Sequence, residues 1–192
     1  MRRFALVLTA LALLTGCAQS NNTAVAPSDH ASKISGDNAS ANAEDIMFAQ
    51  MMIPHHSQAV EMSGYAKTNT TNPDVLALAV KISAEQQPEI DLMGGWLHEW
   101  GIHDMPGMHH MGTGTDGMLS DSAIADLKMA TGADFDRQFL TGMIAHHQGA
   151  IAMAQGVLDG GKNPDVHKLA NNIITLQTAE IAQMQEMLKG LN

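Results

Sequence analysis

The sequence predicts an all-α protein, a four-helix bundle made of two repeated αα-hairpins. Only 4% of the residues are aromatic, while 45% are hydrophobic and include 15 Met, a composition that favours helix over sheet. Apolar residues recur at steps of three and four along four segments. The chain also matches itself at a displacement of 91 residues, the difference between His146 and His55, without a gap.

Residues 1–16 have the features of a bacterial lipoprotein signal peptide. Arg2 and Arg3 form a positive n-region, and the apolar stretch that follows is too short to span a bilayer as a mature helix. It ends in a Leu-Thr-Gly-Cys sequence that resembles the lipobox. We therefore expect lipidation at Cys17 and a membrane anchor at the periplasmic or other extracytoplasmic face of the cell envelope. The alternative is a plain signal peptide with an incidental cysteine.

Residues 17–43 consist mainly of Ser, Asn, Ala and Asp, with few large apolar side chains. Such a segment buries too little surface to offset the entropy lost on ordering, so we expect a disordered, flexible tether before a bundle over residues 44–192. The net charge of −10 leaves no basic patch for a phosphate backbone, which excludes nucleic acid as a partner.

The first hairpin is predicted over residues 45–100 and the second over residues 134–190. Each contains an Asn-Pro-Asp turn, at Asn72 and again at Asn163, where the asparagine can cap the following helix. Residues 101–121 connect the hairpins, and a short extra helix is expected over 122–131. Pro54 should kink the first helix rather than end it, because the apolar periodicity continues beyond it.

Polar residues interrupt the apolar face of every long helix. On a 3.6-residue repeat, His55 lies on the core face of its helix and His146 occupies the same place in the second hairpin. In the return helices an amide and a carboxylate take the corresponding level. We therefore expect one polar layer inside the bundle, formed by His55, His146, Gln86, Gln177, Glu89 and Glu180.

Buried carboxylates need compensation, and two explanations remain open. One is a closed hydrogen-bond network of His and Glu with a structural role. The other is a metal site, because methionines flank each histidine on the same face. Thioether and imidazole suit Cu(I), and carboxylate with imidazole also accepts Cu(II). The predicted copper ligands of the core are Met52, His55, His56, Met62, Glu89, Met93, Met143, His146, His147, Met153, Glu180 and Met184.

The neighbouring histidines differ in direction. His56 and His147 lie about 100° round the helix from His55 and His146 on a 3.6-residue repeat, so both members of a pair cannot point at the bundle axis. We expect one of each pair to bind indirectly or to lie near the surface.

The connection between the hairpins is rich in Met and His without helical spacing. This composition can wrap a soft ion, either as a second exposed site or by closing over the core site. The alternative is an ordinary solvated loop. The predicted ligands in the connection are His103, Met105, Met108, His109, His110 and Met111, with His98 and Met118 beside them.

These motifs resemble the domain of unknown function 305 family. The resemblance is carried by paired Met-x-x-His-His elements, residues 52–56 followed by Met62 and residues 143–147 followed by Met153, and by residues 134–140. It implies a ferritin-like four-helix bundle, and some members of the family bind copper and support copper tolerance. One departure is Glu61, whose counterpart is Ala152, so the two halves need not bind equally.

The function expected from these features is copper binding in the cell envelope, with copper sequestered or transferred and no catalysis. Expected partners are copper ions, the membrane through Cys17 and another copper-handling protein. One alternative is a redox-active ferritin-like metalloenzyme, although the Glu-x-x-His motif of di-iron oxidases does not occur on the return helices. Another is a metal-free structural or partner-binding bundle.

Overall fold

The computed structural model describes residues 41–103 and 117–191. Within these ranges the chain forms four long helices and one short helix, which confirms the predicted all-α bundle. The helices are α1 (Ala43–Asn69), α2 (Pro73–Glu99), α3 (Asp121–Met129), α4 (Gly132–Gly160) and α5 (Pro164–Gly190). The predicted signal peptide, Cys17 and most of the predicted tether lie outside the described residues. No helix of the described ranges is long and apolar enough to cross a membrane.

Asparagine begins three of the long helices. Asn42 accepts from the backbone N–H of Asp45, whose side chain accepts in return from the Asn42 N–H, a capping box at the start of α1. Asn72 and Asn163 cap α2 and α5, each followed by proline at the first helical position. The helix α1 continues through Pro54, as the apolar periodicity predicted.

The bundle contains two hydrophobic cores. α1 packs against α2 and α4, and α4 packs against α5. The first core contains Met62, Ile82, Phe135, Phe139, Met143 and Met184 among its buried side chains. The second core contains Phe48, Met52, Met93, Val157, Val166 and Ile173 among its buried side chains. Each core therefore draws on both hairpins, and neither hairpin contains a complete core.

Two buried aspartates tie each hairpin to the turn of the other. The Asp45 carboxylate accepts from the backbone N–H groups of Lys162 and Asn163, with both nitrogens 3.1 Å from Oδ2. The Asp136 carboxylate accepts from Nδ2 of Asn72 at 3.1 Å. Asp45 and Asp136 are 91 residues apart, so the contact is duplicated with the repeat.

The described end of the connection is fixed between α1 and α4. Gln58 of α1 donates to the carbonyl of Leu119 at 3.0 Å and accepts from its N–H at 2.8 Å. Gly117 has a φ of +76°, and a Cβ atom there would lie 2.2 Å from the carbonyl oxygen of Ala145. Since Ala145 directly precedes His146, the connection passes over α4 at the level of the histidines.

Candidate metal centre

The histidines lie in a polar layer between the two hydrophobic cores. On α1, Met52 belongs to the second core and Met62 to the first, and His55 and His56 lie between them. On α4 the order is reversed, with Met143 in the first core and Ala150 in the second. The antiparallel hairpins therefore bring His55, His56, His146 and His147 to one level of the bundle.

His55 and His146 are in contact at the centre of this layer. Their ring centroids are 3.7 Å apart, at an interplanar angle of 34°. Both side chains are buried. Neither ring nitrogen of His146 has a hydrogen-bond partner among the described residues. Burial, followed by the nearby histidines 55, 147 and 56, lowers the pKa of His146 well below its usual value. The lowered pKa favours the neutral imidazole of His146, in which one ring nitrogen holds a lone pair.

The second histidine of each pair is held by a glutamate of the return helix. His56 Nε2 lies 2.7 Å from Glu89 Oε2, and His147 Nε2 lies 2.7 Å from Glu180 Oε2. Both imidazoles are completely buried. Neither therefore lies near the surface, which was one of the two alternatives expected for one member of each pair. The glutamates contact His56 and His147 rather than His55 and His146. The offset of about 100° from the preceding histidine turns the rings of His56 and His147 towards α2 and α5.

The glutamate contacts fix the tautomer of these two rings. A carboxylate accepts hydrogen bonds, so Nε2 of His56 and of His147 is the donor, and in the neutral tautomer this leaves the lone pair on Nδ1. Both Nδ1 atoms are buried and have no hydrogen-bond partner in the described part of the chain. A histidine that donates its outer N–H to a carboxylate and keeps its other nitrogen free is the usual arrangement of a metal-binding imidazole.

The two His–Glu pairs differ in their surroundings. Glu180 accepts from Lys81 Nζ at 2.9 Å as well as from His147. Burial alone would raise the pKa of Glu180, but the hydrogen bonds from His147 and Lys81 lower it to about 2. The counterpart of Lys81 in the second hairpin is Asn172, so no lysine occupies the equivalent place beside Glu89. The Glu89 side chain keeps 17% of its surface exposed.

Thioethers border the histidine layer on both sides. The first core contributes Met62, Met143 and Met184, and the second contributes Met52 and Met93, all with no exposed surface. Met153 is partly buried against the second core. No group of three or more His, Cys, Asp or Glu side chains in residues 41–103 and 117–191 is arranged to hold a metal ion. The methionine sulfurs are the other soft donors that border this layer.

The structure leaves most of the predicted connection site undescribed. Met105, Met108, His109, His110 and Met111 lie outside the described residues. His103 is described, and its ring meets that of His98 edge to face at a centroid distance of 5.1 Å.

Sequence reasoning missed one feature of the site and one of the fold. Lys81 was overlooked, although its spacing of four residues from Glu85 indicates an ion pair on the face that carries the carboxylates. The aspartates 45 and 136 were also overlooked, and their recurrence at the repeat displacement was the signal that could have found them.

Comparisons with known proteins agree with this architecture. Residues 45–188 match the family model described as Domain of unknown function (DUF305). A solved DUF305 fragment from Deinococcus radiodurans is 32% identical with a TM-score of 0.72, and the match covers 78% of this chain and 97% of that one. A DUF305 protein from Streptomyces coelicolor, described as a candidate secreted protein, is also 32% identical with a TM-score of 0.71, over 77% of this chain and 93% of that one.

CopM is a further structural relative. Its Cu(II)-bound form is 34% identical with a TM-score of 0.68, covering 77% of this chain and 97% of that one. CopM has also been solved in Cu(I)-bound and silver-bound forms. Among curated proteins, an uncharacterized protein of Acanthamoeba polyphaga mimivirus is 42% identical over 53 residues, which are 28% of this chain. The chain spans 35% of the length of that relative.

Proposed function

The chain belongs to the DUF305 family, and from its buried histidine layer we propose that it binds copper inside the bundle and sequesters or transfers it in the cell envelope. The observation that carries the proposal is a set of buried imidazole nitrogens without hydrogen-bond partners in the described ranges, on His146, His56 and His147. An unsatisfied buried polar atom costs roughly 1–3 kcal/mol. A bound ion would remove this cost.

The donor set favours Cu(I). Imidazole nitrogens and thioethers suit that soft ion, whereas the layer offers no thiolate. We assign direct binding to His146, His56 and His147, whose free nitrogens face the layer, with His55 and the bordering methionines beside them. Glu89 and Glu180 then orient His56 and His147 through their Nε2–H groups. In this proposal the glutamates orient the imidazoles, whereas the sequence analysis named them as direct ligands.

The comparisons support copper as the ion and a location outside the cytoplasm. CopM, which has been solved with Cu(I) and with Cu(II), shares about a third of its residues with this chain. The relative from Streptomyces coelicolor is described as a candidate secreted protein. Together with the signal-peptide features of residues 1–16, these likenesses support an envelope protein, and the lipobox supports an anchor at Cys17.

The proposal is tested by anaerobic Cu(I) titration in competition with a chromogenic chelator. The double variant His55→Ala/His146→Ala should bind Cu(I) at least about tenfold more weakly than the unmodified protein, a loss of about 1.4 kcal/mol or more. His167→Ala is the matched control, because His167 lies on α5 outside the histidine layer. Circular dichroism checks that each variant keeps its helices. Equal Cu(I) affinity in the double variant and the unmodified protein would remove the buried layer as the copper site.

We further propose that copper is the cargo rather than the centre of a reaction. Cu(I)-loaded protein in air should release or oxidise its ion once and then stop consuming oxygen. Continuous oxygen uptake in the presence of a reductant, lost in the His55→Ala/His146→Ala variant, would instead identify a metalloenzyme.

A further inference from the structure

A narrow crevice opens between α2 and α5 beside the histidine layer. Its polar lining consists of Glu85, Gln86, Glu89, Gln177 and Glu180, so oxygen donors from both helices face one space. The helices approach each other here through side chains, with Lys81 of α2 reaching Glu180 of α5. The crevice therefore connects the carboxylates that hold the histidines with the outside of the bundle.

Two glutamines of the crevice are buried with amide atoms that lack partners. Gln86 is 2% exposed and Gln177 is 4% exposed. Both amide atoms of Gln86 and the Oε1 atom of Gln177 lack a hydrogen-bond partner among the described residues. They occupy equivalent positions in the two hairpins, because 177 minus 86 equals 91. An unsatisfied buried amide is unfavourable by roughly 1–3 kcal/mol. Here the amide oxygens of both glutamines are unpartnered in one crevice.

The charge of the crevice favours a cation. Three carboxylates line it, those of Glu85, Glu89 and Glu180. Lys81 supplies one positive charge, with Nζ 2.9 Å from Glu180 and 3.6 Å from Glu85. Its side chain is 45% exposed, so the ammonium group can move into solvent without breaking the core.

We propose that the crevice is a second binding site, which takes an oxygen-preferring divalent cation through Gln86, Gln177 and the adjoining carboxylates, with Lys81 as its competitor. Carboxylate and amide oxygens are hard donors, unlike the thioethers and imidazoles of the histidine layer. No three acidic or histidine side chains in the described ranges are placed to hold an ion by themselves, so the amide oxygens complete the set. The inference stands on the crevice and does not depend on Cu(I) binding at the histidines.

Mn(II) is the appropriate probe, because it prefers oxygen ligands and its free ion gives a strong electron paramagnetic resonance signal. Titration of the protein should show saturable loss of the free-ion signal. The double variant Gln86→Leu/Gln177→Leu should weaken Mn(II) binding at least about tenfold, while Lys81→Met should strengthen it about threefold or more. Gln87→Leu is the matched control, since Gln87 is the exposed neighbour of Gln86.

The outcomes separate this site from the copper site. Mn(II) binding that fails to saturate, or that is equal in the unmodified protein and the Gln86→Leu/Gln177→Leu variant, would overturn the crevice site. Weaker Mn(II) binding in Lys81→Met would overturn the proposed competition. Because Lys81 is exposed, this variant keeps the core intact and tests the site even if the double glutamine variant fails to fold. Cu(I) titration of the same proteins tests the histidine layer separately, so either site can fail alone.

Discussion

Individual methionines differ widely in how far they are buried. Met52 of α1 and Met143 of α4 are completely buried, whereas Met47 and Met51 of α1 are 54% and 41% exposed. Of these four, only the buried methionines border the histidine layer. The chemistry of the layer therefore depends on where sulfur is placed rather than on the methionine content of the chain.

Replacing buried sulfur should weaken Cu(I) binding without unfolding the protein. The variant Met52→Leu/Met143→Leu keeps side-chain volume, so we expect it to lose less than about 1.5 kcal/mol of stability per site. Its Cu(I) affinity should fall about tenfold or more, because leucine offers no lone pair. Met47→Leu/Met51→Leu is the control and should titrate like the unmodified protein. Equal affinity in both double variants would assign the buried methionines to packing alone.

His146 should make the metal-free protein sensitive to acid. Its pKa is lowered in the folded state, so below the ordinary value of 6.5 the unfolded chain takes up a proton that the folded chain does not. Stability is then fully present above pH 6.5 and is lost as pH falls below it, at up to about 1.4 kcal/mol per pH unit for one proton. Urea unfolding at pH 7.5 and pH 5.5 measures this loss. It should be smaller in His146→Gln, and an identical loss in that variant would contradict the assignment.

At the level of the elements, the sequence predicted the helices better than it predicted the side-chain contacts between them. The steps of three and four residues, the Asn-Pro-Asp turns and the 91-residue displacement placed all four long helices and the level of the histidine layer. They could not tell that Glu89 meets His56 rather than His55, because that choice depends on how far each helix is rotated within the bundle. Lys81 reaches Glu180 across 99 positions of sequence, a contact that no local pattern specifies.

The connection between the hairpins offers a matched pair of glycines. Gly117 and Gly101 have φ values of +76° and +77°, a region in which a side chain is unfavourable by roughly 1–2 kcal/mol. A Cβ at Gly101 would meet no atom within 4 Å among the described residues, whereas at Gly117 it would strike the Ala145 carbonyl. Thermal unfolding should therefore show a larger loss for Gly117→Ala than for Gly101→Ala. Equal losses would mean that the contact over α4 is readily relieved.

At the scale of the whole molecule, the bundle should not form from one hairpin. Each hydrophobic core takes residues from both halves, and the aspartates 45 and 136 each bond to the turn of the opposite hairpin. A fragment of residues 41–103 should therefore lack the cooperative thermal transition of the complete chain in circular dichroism. Mixing it with a fragment of residues 117–191 should restore that transition. A cooperative transition in the first fragment alone would show that a hairpin is an independent folding unit.

The reciprocal bonds of the two aspartates carry a consequence for association. The surface that the first hairpin packs against in its own chain is also present on the second hairpin of any other copy of the protein. Two chains that opened and exchanged hairpins would thus recover all of these contacts, including the paired imidazoles, without any new complementarity. Intramolecular closure prevails in dilute solution because the single connection keeps the proper mate near, and crowding many copies together shifts that balance towards exchanged dimers.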